Sequence, residues 1–285
     1  MRSWLVLAVL VCAGIASCRR DAPPSAVTTA TPRLVSLTPS ATEVVAALGA
    51  APLLVGVDDY STFPPEVTTL PKVGSFLAPN LETIVGLRPA LVIVDDVHGK
   101  AAEALSDAGV ATVECSIHAI PDVKRALRTI GDRIGRSAEA TQVVGTIDAA
   151  IERARGQRPA KRPRVLAIID REAGGLGNLV AAGTGSWLDE LLAISGGENV
   201  LAGAPVRYPK ISLEEVMRAQ PDVILDLSFA GGKGGVAEWA AVDVPAVKLG
   251  RVVVLSEPYL TAPSPRVAEA LAALARAIAI EPPPR

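Results

Sequence analysis

Two histidines in 285 residues, His98 and His118, are the side chains best suited to proton or metal chemistry near neutral pH. Neither sits in a catalytic spacing. The chain has no HExxH, no CxxC, no Walker sequence and no nucleophile-elbow serine, so no group of residues is set out to make or break bonds. His98 follows Asp95-Asp96-Val97 at the end of an apolar run, and reads as a solvated loop histidine or as a contact to a metal or tetrapyrrole. His118 reads as a loop residue. No catalytic residue and no metal site is expected, and no intrinsic cofactor.

Carboxylates carry a clearer pattern. Glu82 stands in Asn80-Leu81-Glu82 and Glu214 in Ser212-Leu213-Glu214, 132 residues apart, and each stretch closes on a proline nine positions after its first residue. Asn and Ser are favoured helix caps, and Glu in a first turn suits the positive helix end. Both glutamates therefore have a structural role open to them, and a second as paired exposed anions for a partner carrying matching cations.

Aromatic residues are few, three each of Trp, Tyr and Phe. Tyr60, Phe63, Phe76, Tyr208 and Tyr259 lie in Pro- or Ser-rich stretches outside the periodic apolar runs. Such residues either cover their own lobe's edge or grip a large flat ligand, for which stiff rings with a polar edge are well suited. Arg266, in Ser264-Pro265-Arg266, puts a cation in a first helical turn against the dipole. An ion pair with a neighbour would account for it, as would contact with a polar or anionic ligand edge.

The elements that must position these residues follow from the apolar pattern. The composition is 49% hydrophobic and 20% charged with a formal net charge of −2, which gives an ample core and no basic surface for nucleic acid. Strand-like runs alternate with helical ones: Leu34–Leu37, Leu53–Val57, Ala90–Asp95, Ala111–Cys115, then Arg164–Ile169, Asp222–Leu227 and Val252–Leu255. Ser40-Ala41-Thr42-Glu43 has the form of a capping box. This alternation predicts an α/β chain with mostly parallel sheets in two similar Rossmann-like lobes, whose ligands gather at the carboxyl ends of the strands. Ala, Val and Ile at helical spacing from Ser137 to Gln157 predict one long rigid α-helix joining the lobes. Gly174-Gly175-Leu176-Gly177 lacks the context of a phosphate loop.

The first eighteen residues read as a signal segment, with Arg2 ahead of a short apolar run and Ile15-Ala16-Ser17-Cys18 at its end. The ending resembles a bacterial lipobox, which would make Cys18 the lipidated first residue and Cys115 the only thiol left. Cys115 lies in a strand and is expected to be buried and inert. The predicted organisation is a signal peptide at 1–18, a tether at 19–32, an N-terminal lobe at 33–135, a connecting helix at 136–158 and a C-terminal lobe at 159–281.

Several motifs, in order along the chain, resemble the helical-backbone substrate-binding proteins that serve ABC importers for cobalamin, haem and ferric siderophores. They are Pro39-Ser40-Ala41-Thr42-Glu43, Gly56-Val57-Asp58-Asp59-Tyr60-Ser61 with Pro64-Pro65, Asn80-Leu81-Glu82, Gly196-Gly197-Glu198-Asn199, Tyr208-Pro209 before Ser212-Leu213-Glu214, and Ser264-Pro265-Arg266. The resemblance is strongest to the cobalamin-binding branch. It implies a ligand site at Tyr60, Phe76, Tyr208, Tyr259 and Arg266, to which Pro39 and the strand-end His98 are added as candidates, and docking of Glu82 and Glu214 onto a permease dimer with its ATPase subunits. It also implies a monomer held at the cell envelope by its lipid, carrying a corrinoid, with haem or a ferric siderophore as the alternative cargo. An envelope enzyme using a metal is the competing reading.

Overall fold

Four short β-branched runs build the first sheet of the computed structural model, which describes residues 32–228 and 235–279. They are β1 (Leu34–Ser36), β2 (Leu54–Val57), and, further along, β5 (Leu91–Val94) and β6 (Thr112–Glu114), all parallel in the order β2-β1-β5-β6. All four therefore end on one edge. Between them lie α1 (Pro39–Ala47), a hairpin of β3 (Gly74–Ser75) and β4 (Ala78–Pro79), α2 (Leu81–Gly86) and α3 (Gly99–Asp107). The signal segment, Cys18, most of the tether, residues 229–234 of a glycine-rich loop and Ile280 lie outside the described residues.

Helix α1 does not begin with the expected capping box. Thr38 is the N-cap, accepting from the Ala41 N–H at 3.1 Å, and Pro39 takes the first helical position, where its missing N–H costs nothing. Glu43 is thereby freed from capping. At α4 (Ile120–Ile134) the Asp122 carboxylate accepts from the backbone N–H groups of His118 and Ala119, and Gly135, at φ 71°, ends the helix in the left-handed region.

The connecting helix, α5 (Ser137–Gly156), has 20 residues and so spans about 30 Å. It buries Ala140, Val144, Ile147, Ala150 and Ile151. The second lobe follows with β7 (Arg164–Asp170), β8 (Leu179–Ala181), α6 (Trp187–Ser195), β9 (Glu198–Asn199), β10 (Lys210–Ile211), α7 (Leu213–Ala219), β11 (Val223–Asp226), α8 (Val236–Trp239), α9 (Pro245–Lys248), β12 (Val252–Val254), α10 (Pro258–Thr261) and α11 (Val267–Ile278). Its sheet runs β10-β8-β7-β11-β12, with β9 also on β7. β8 runs antiparallel to both β7 and β10, and the other pairs of this sheet are parallel. β8, β9 and β10 have only two or three residues, leave no periodic signal and are not expected from the sequence.

Two lobes of α/β structure thus share one apolar cluster. Leu34, Val44 and Leu127 from the first lobe, Ile147 from α5, and Leu191, Leu225 and Leu274 from the second belong to the same buried group. Each sheet also has a separate cluster on its other face. Among the described residues no helix is long and apolar enough to cross a membrane.

Candidate functional site

The carboxyl edge of the first sheet gathers most of the residues singled out in that lobe. Pro39 follows β1, Tyr60 follows β2, Asp95, Asp96 and His98 follow β5, and His118 follows β6. The turn after β2 is fixed by Asp58, which is 1% exposed. Its carboxylate accepts from the Tyr60 N–H at 2.9 Å and from the Ser61 hydroxyl, while Lys72 donates to the Asp58 and Ser61 carbonyls. Burial raises the Asp58 carboxyl above its ordinary value, partly offset by the Ser61 and Tyr60 hydrogen bonds and by Lys72. With the backbone pinned in this way, Tyr60 projects outward and is 65% exposed.

His98 differs from both readings made of it. It is 3% exposed, and both ring nitrogens are engaged: Nδ1 accepts from the Asp95 N–H at 2.9 Å, and Nε2 lies 2.6 Å from the Phe76 carbonyl oxygen. The Phe76 ring meets the imidazole edge-on, with centroids 5.3 Å apart. No nitrogen lone pair is left for a metal or tetrapyrrole. The histidine instead anchors the β3–β4 hairpin that carries Phe76, and that ring remains half-exposed.

Arg266 is likewise occupied. Its guanidinium holds the Glu43 carboxylate through two bonds, Nε to Oε2 at 2.9 Å and Nη2 to Oε1 at 2.6 Å, and the Ser264 hydroxyl also donates to Glu43. The cation lies over the Phe63 ring at 3.9 Å and the Tyr259 ring at 4.6 Å. Of the two accounts open for Arg266, the structure places it in an ion pair. That pair joins α1 of the first lobe to the start of α11 in the second. A cavity of about 500 Å³ shares Glu43, Phe63 and Arg266 and is closed by Ala46, Ile147 and Pro265; Tyr60, Phe76, Tyr208 and Tyr259 do not line it.

The second-lobe aromatics are linked through Trp187, whose role the sequence did not reveal. The Trp187 indole donates to the Tyr259 carbonyl at 2.9 Å, and its backbone N–H supports the Tyr208 phenol. Burial raises the Tyr208 phenol above its ordinary range, with Arg207 and that N–H opposing. Tyr259 lies in the single turn α10 rather than in a loop. A continuous path therefore runs from Phe63 through Arg266, Tyr259 and Trp187 to Tyr208. Phe76 and His98 form a separate pair. Glu43 could have been suspected from the sequence, because a cation in a first helical turn needs an anion and two of the quoted motifs carry opposite charges.

Glu82 and Glu214 are both exposed, in the first turns of α2 and α7. Among the described residues neither forms an ion pair. Glu215 is spent on the cap: Ser212 N–H donates to its Oε2 at 2.7 Å, and Glu215 N–H donates back to the Ser212 hydroxyl at 3.2 Å. Cys115 is 6% exposed and burial pushes its thiol up to about 11, so it stays protonated.

A family model described as periplasmic binding protein matches residues 34–259. The vitamin B12-binding protein of Salmonella choleraesuis (strain SC-B67) is 31% identical over 207 residues, covering 71% of this chain and 74% of the relative. The vitamin B12-binding protein of Vibrio cholerae serotype O1 (strain ATCC 39541) is 25% identical over 242 residues, covering 84% of this chain and 86% of the relative. Among solved structures, the periplasmic heme-binding protein RhuT from Roseiflexus sp. RS-1, in apo form, superimposes with a TM-score of 0.77 at 30% identity, covering 87% of this chain and 98% of that one.

Proposed function

The chain belongs to the periplasmic binding protein family, a family of binding proteins rather than enzymes, and on that premise we propose that it captures cobalamin or a related corrinoid between its lobes for an ABC importer. The observation that carries this reading is the placing of the aromatics: each is held by a specific contact and stays at least partly exposed. Tyr60 stands on the Asp58 turn, Phe76 on His98, and Tyr208 and Tyr259 on Trp187. In this reading Pro39, Tyr60 and Phe76 face the corrin from the first lobe, with Tyr208 and Tyr259 opposite, and Arg266, paired with Glu43, supports Tyr259 at the boundary. His98 positions Phe76. The lobes run from 33 to 135 and from 159 to 281, with 136–158 as a stiff connector, so capture involves little closure. Cys18 carries the lipid that holds this monomer at the membrane.

Titration of the purified protein with cyanocobalamin, followed by heat and visible absorbance, tests the cargo. One-to-one binding that Tyr60→Ala and Tyr259→Ala weaken is expected; no heat and no spectral change would exclude cobalamin. Two observations favour haem as the second reading: the freely exposed phenol of Tyr60 and the likeness to a heme-binding protein at 30% identity. A phenolate could serve as axial ligand. Hemin producing a shifted Soret band that Tyr60→Phe abolishes would transfer the assignment to haem.

Delivery requires docking. In this reading Glu82 and Glu214 meet cations on the permease dimer, which works with its ATPase subunits. Charge reversal at both should abolish stimulation of the importer's ATPase while cargo affinity stays unchanged. A loss of cargo affinity instead would place the glutamates in the binding site.

A further inference from the structure

We propose that Asp95, Asp96 and His118 form a site for one divalent transition cation of the zinc class, on the carboxyl edge of the first lobe's sheet. Asp95 and Asp96 follow β5 and His118 follows β6; these strands lie side by side, Val94 opposite Glu114. One donor atom from each of the three residues lies within 4.8 Å of the other two, and His118 Nε2 is 3.9 Å from Asp96 Oδ2. Zinc bonds of about 2.0–2.2 Å would draw these atoms together by about an ångström. Turning the half-exposed His118 side chain covers that distance. Both loops are held from behind: the Asp96 N–H donates to the Ser116 hydroxyl at 3.1 Å and the His118 N–H to Asp122 at 3.1 Å.

An independent observation points to a ligand here. Asp95 is 6% exposed, and its buried Oδ1 has no hydrogen-bond partner among the described residues. A buried carboxylate in that state is costly unless a donor or cation meets it. The second lobe resolves the corresponding position differently. At the end of β11, Asp226 receives the Arg171 guanidinium at 2.9 Å and the Trp239 indole at 3.0 Å. A metal ion at Asp95 would take the part that Arg171 takes at Asp226.

Two carboxylates and one imidazole suit zinc, with a coordination position left for water or for a donor atom of a bound molecule. The outward sides of Asp96 and His118 keep the site open to solvent. The sequence concealed this cluster because its two halves are some twenty residues apart and meet only through the pairing of β5 with β6. The proposal stands apart from the identity of the cargo.

The test uses full-length protein stripped with a chelator and free of cargo. Titration with Zn²⁺ by calorimetry should give one ion per chain, and Co²⁺ should give a visible absorption band. Loss of an outer-shell partner alone weakens metal binding by about tenfold or more, so His118→Ala and Asp95→Asn should each weaken Zn²⁺ binding by at least about that factor. His118→Ala removes a half-exposed ring and keeps the fold, which circular dichroism checks. Asp107→Asn, at the exposed end of α3, should bind as the unaltered protein does. No saturable one-to-one uptake, or uptake that His118→Ala leaves unchanged, overturns the proposal.

Discussion

Because the Asp95 N–H donates to Nδ1, the His98 imidazole carries its proton on Nε2, and that proton goes to the Phe76 carbonyl. A residue type associated with acid–base or metal work is here a two-ended brace between a strand end and a hairpin. Removing it leaves a buried donor and a carbonyl unpaired. His98→Ala should therefore lower stability by about 1–3 kcal/mol in urea denaturation; an unchanged midpoint would contradict the brace. Asp58 gives a pH dependence. Its folded carboxyl is raised above the ordinary 3.8 by burial, so the native state keeps the proton to higher pH than the unfolded chain does. Its contribution is fully present below 3.8 and is lost as pH rises through the raised folded value. Stability should fall across that window, and Asp58→Asn should flatten the fall when denaturation midpoints are compared at successive pH values.

Helices α2 and α7 extend the repeat beyond what the letters indicate. Each is capped by its predicted residue, the Asn80 side chain accepting from Thr83 N–H and Ser212 from Glu215 N–H. Each is followed by a residue in the left-handed region just before the closing proline, Arg88 at φ 49° and Gln220 at φ 43°. Proline disfavours the right-handed helical region for the residue before it, so the two stretches stop in the same way. The neighbouring glutamates of α7 have separate tasks. Glu215→Lys breaks the reciprocal cap and should lower the thermal midpoint, as should Ser212→Ala, which costs about 1 kcal/mol. Glu214→Lys removes only a favourable anion from the first turn and should lower the midpoint less than Glu215→Lys does. Equal effects of the two lysine substitutions would contradict this division.

Across the whole molecule, the lobes are joined by more than the connecting helix. Their shared apolar cluster runs through α1, α4, α5, α6 and α11. Glu190 of α6 accepts from the Ile120 N–H at the start of α4 at 2.8 Å, and Glu43 pairs with Arg266. A common core should unfold in one step. Trp187 and Trp239 both lie in the second lobe, so their fluorescence reports that lobe while far-ultraviolet circular dichroism reports both. The two denaturation curves should coincide, and separate midpoints would mean lobes that unfold independently. Arg266→Ala strands Glu43, which is only 10% exposed, without its partner. A loss of roughly 3–5 kcal/mol is expected, with the curves still superimposed.

Local physics explains why part of this was legible and part was not. Apolar periodicity, capping residues and prolines act within a few neighbours along the chain, so the sequence by itself determined the strand–helix alternation, the long helix from Ser137, the repeated helix starts at Asn80 and Ser212, and the buried Cys115. Strands β8, β9 and β10 and the hairpin under Phe76 left too short a pattern to read. Tertiary structure alone decided the partners: Glu43 with Arg266 across 223 positions, His98 with Phe76, Trp187 with Tyr259, and Asp95 with His118. A charge or an imidazole declares which bonds it can make. Which bond it does make depends on the group that packing brings to within about 3 Å, and that is set by the fold as a whole.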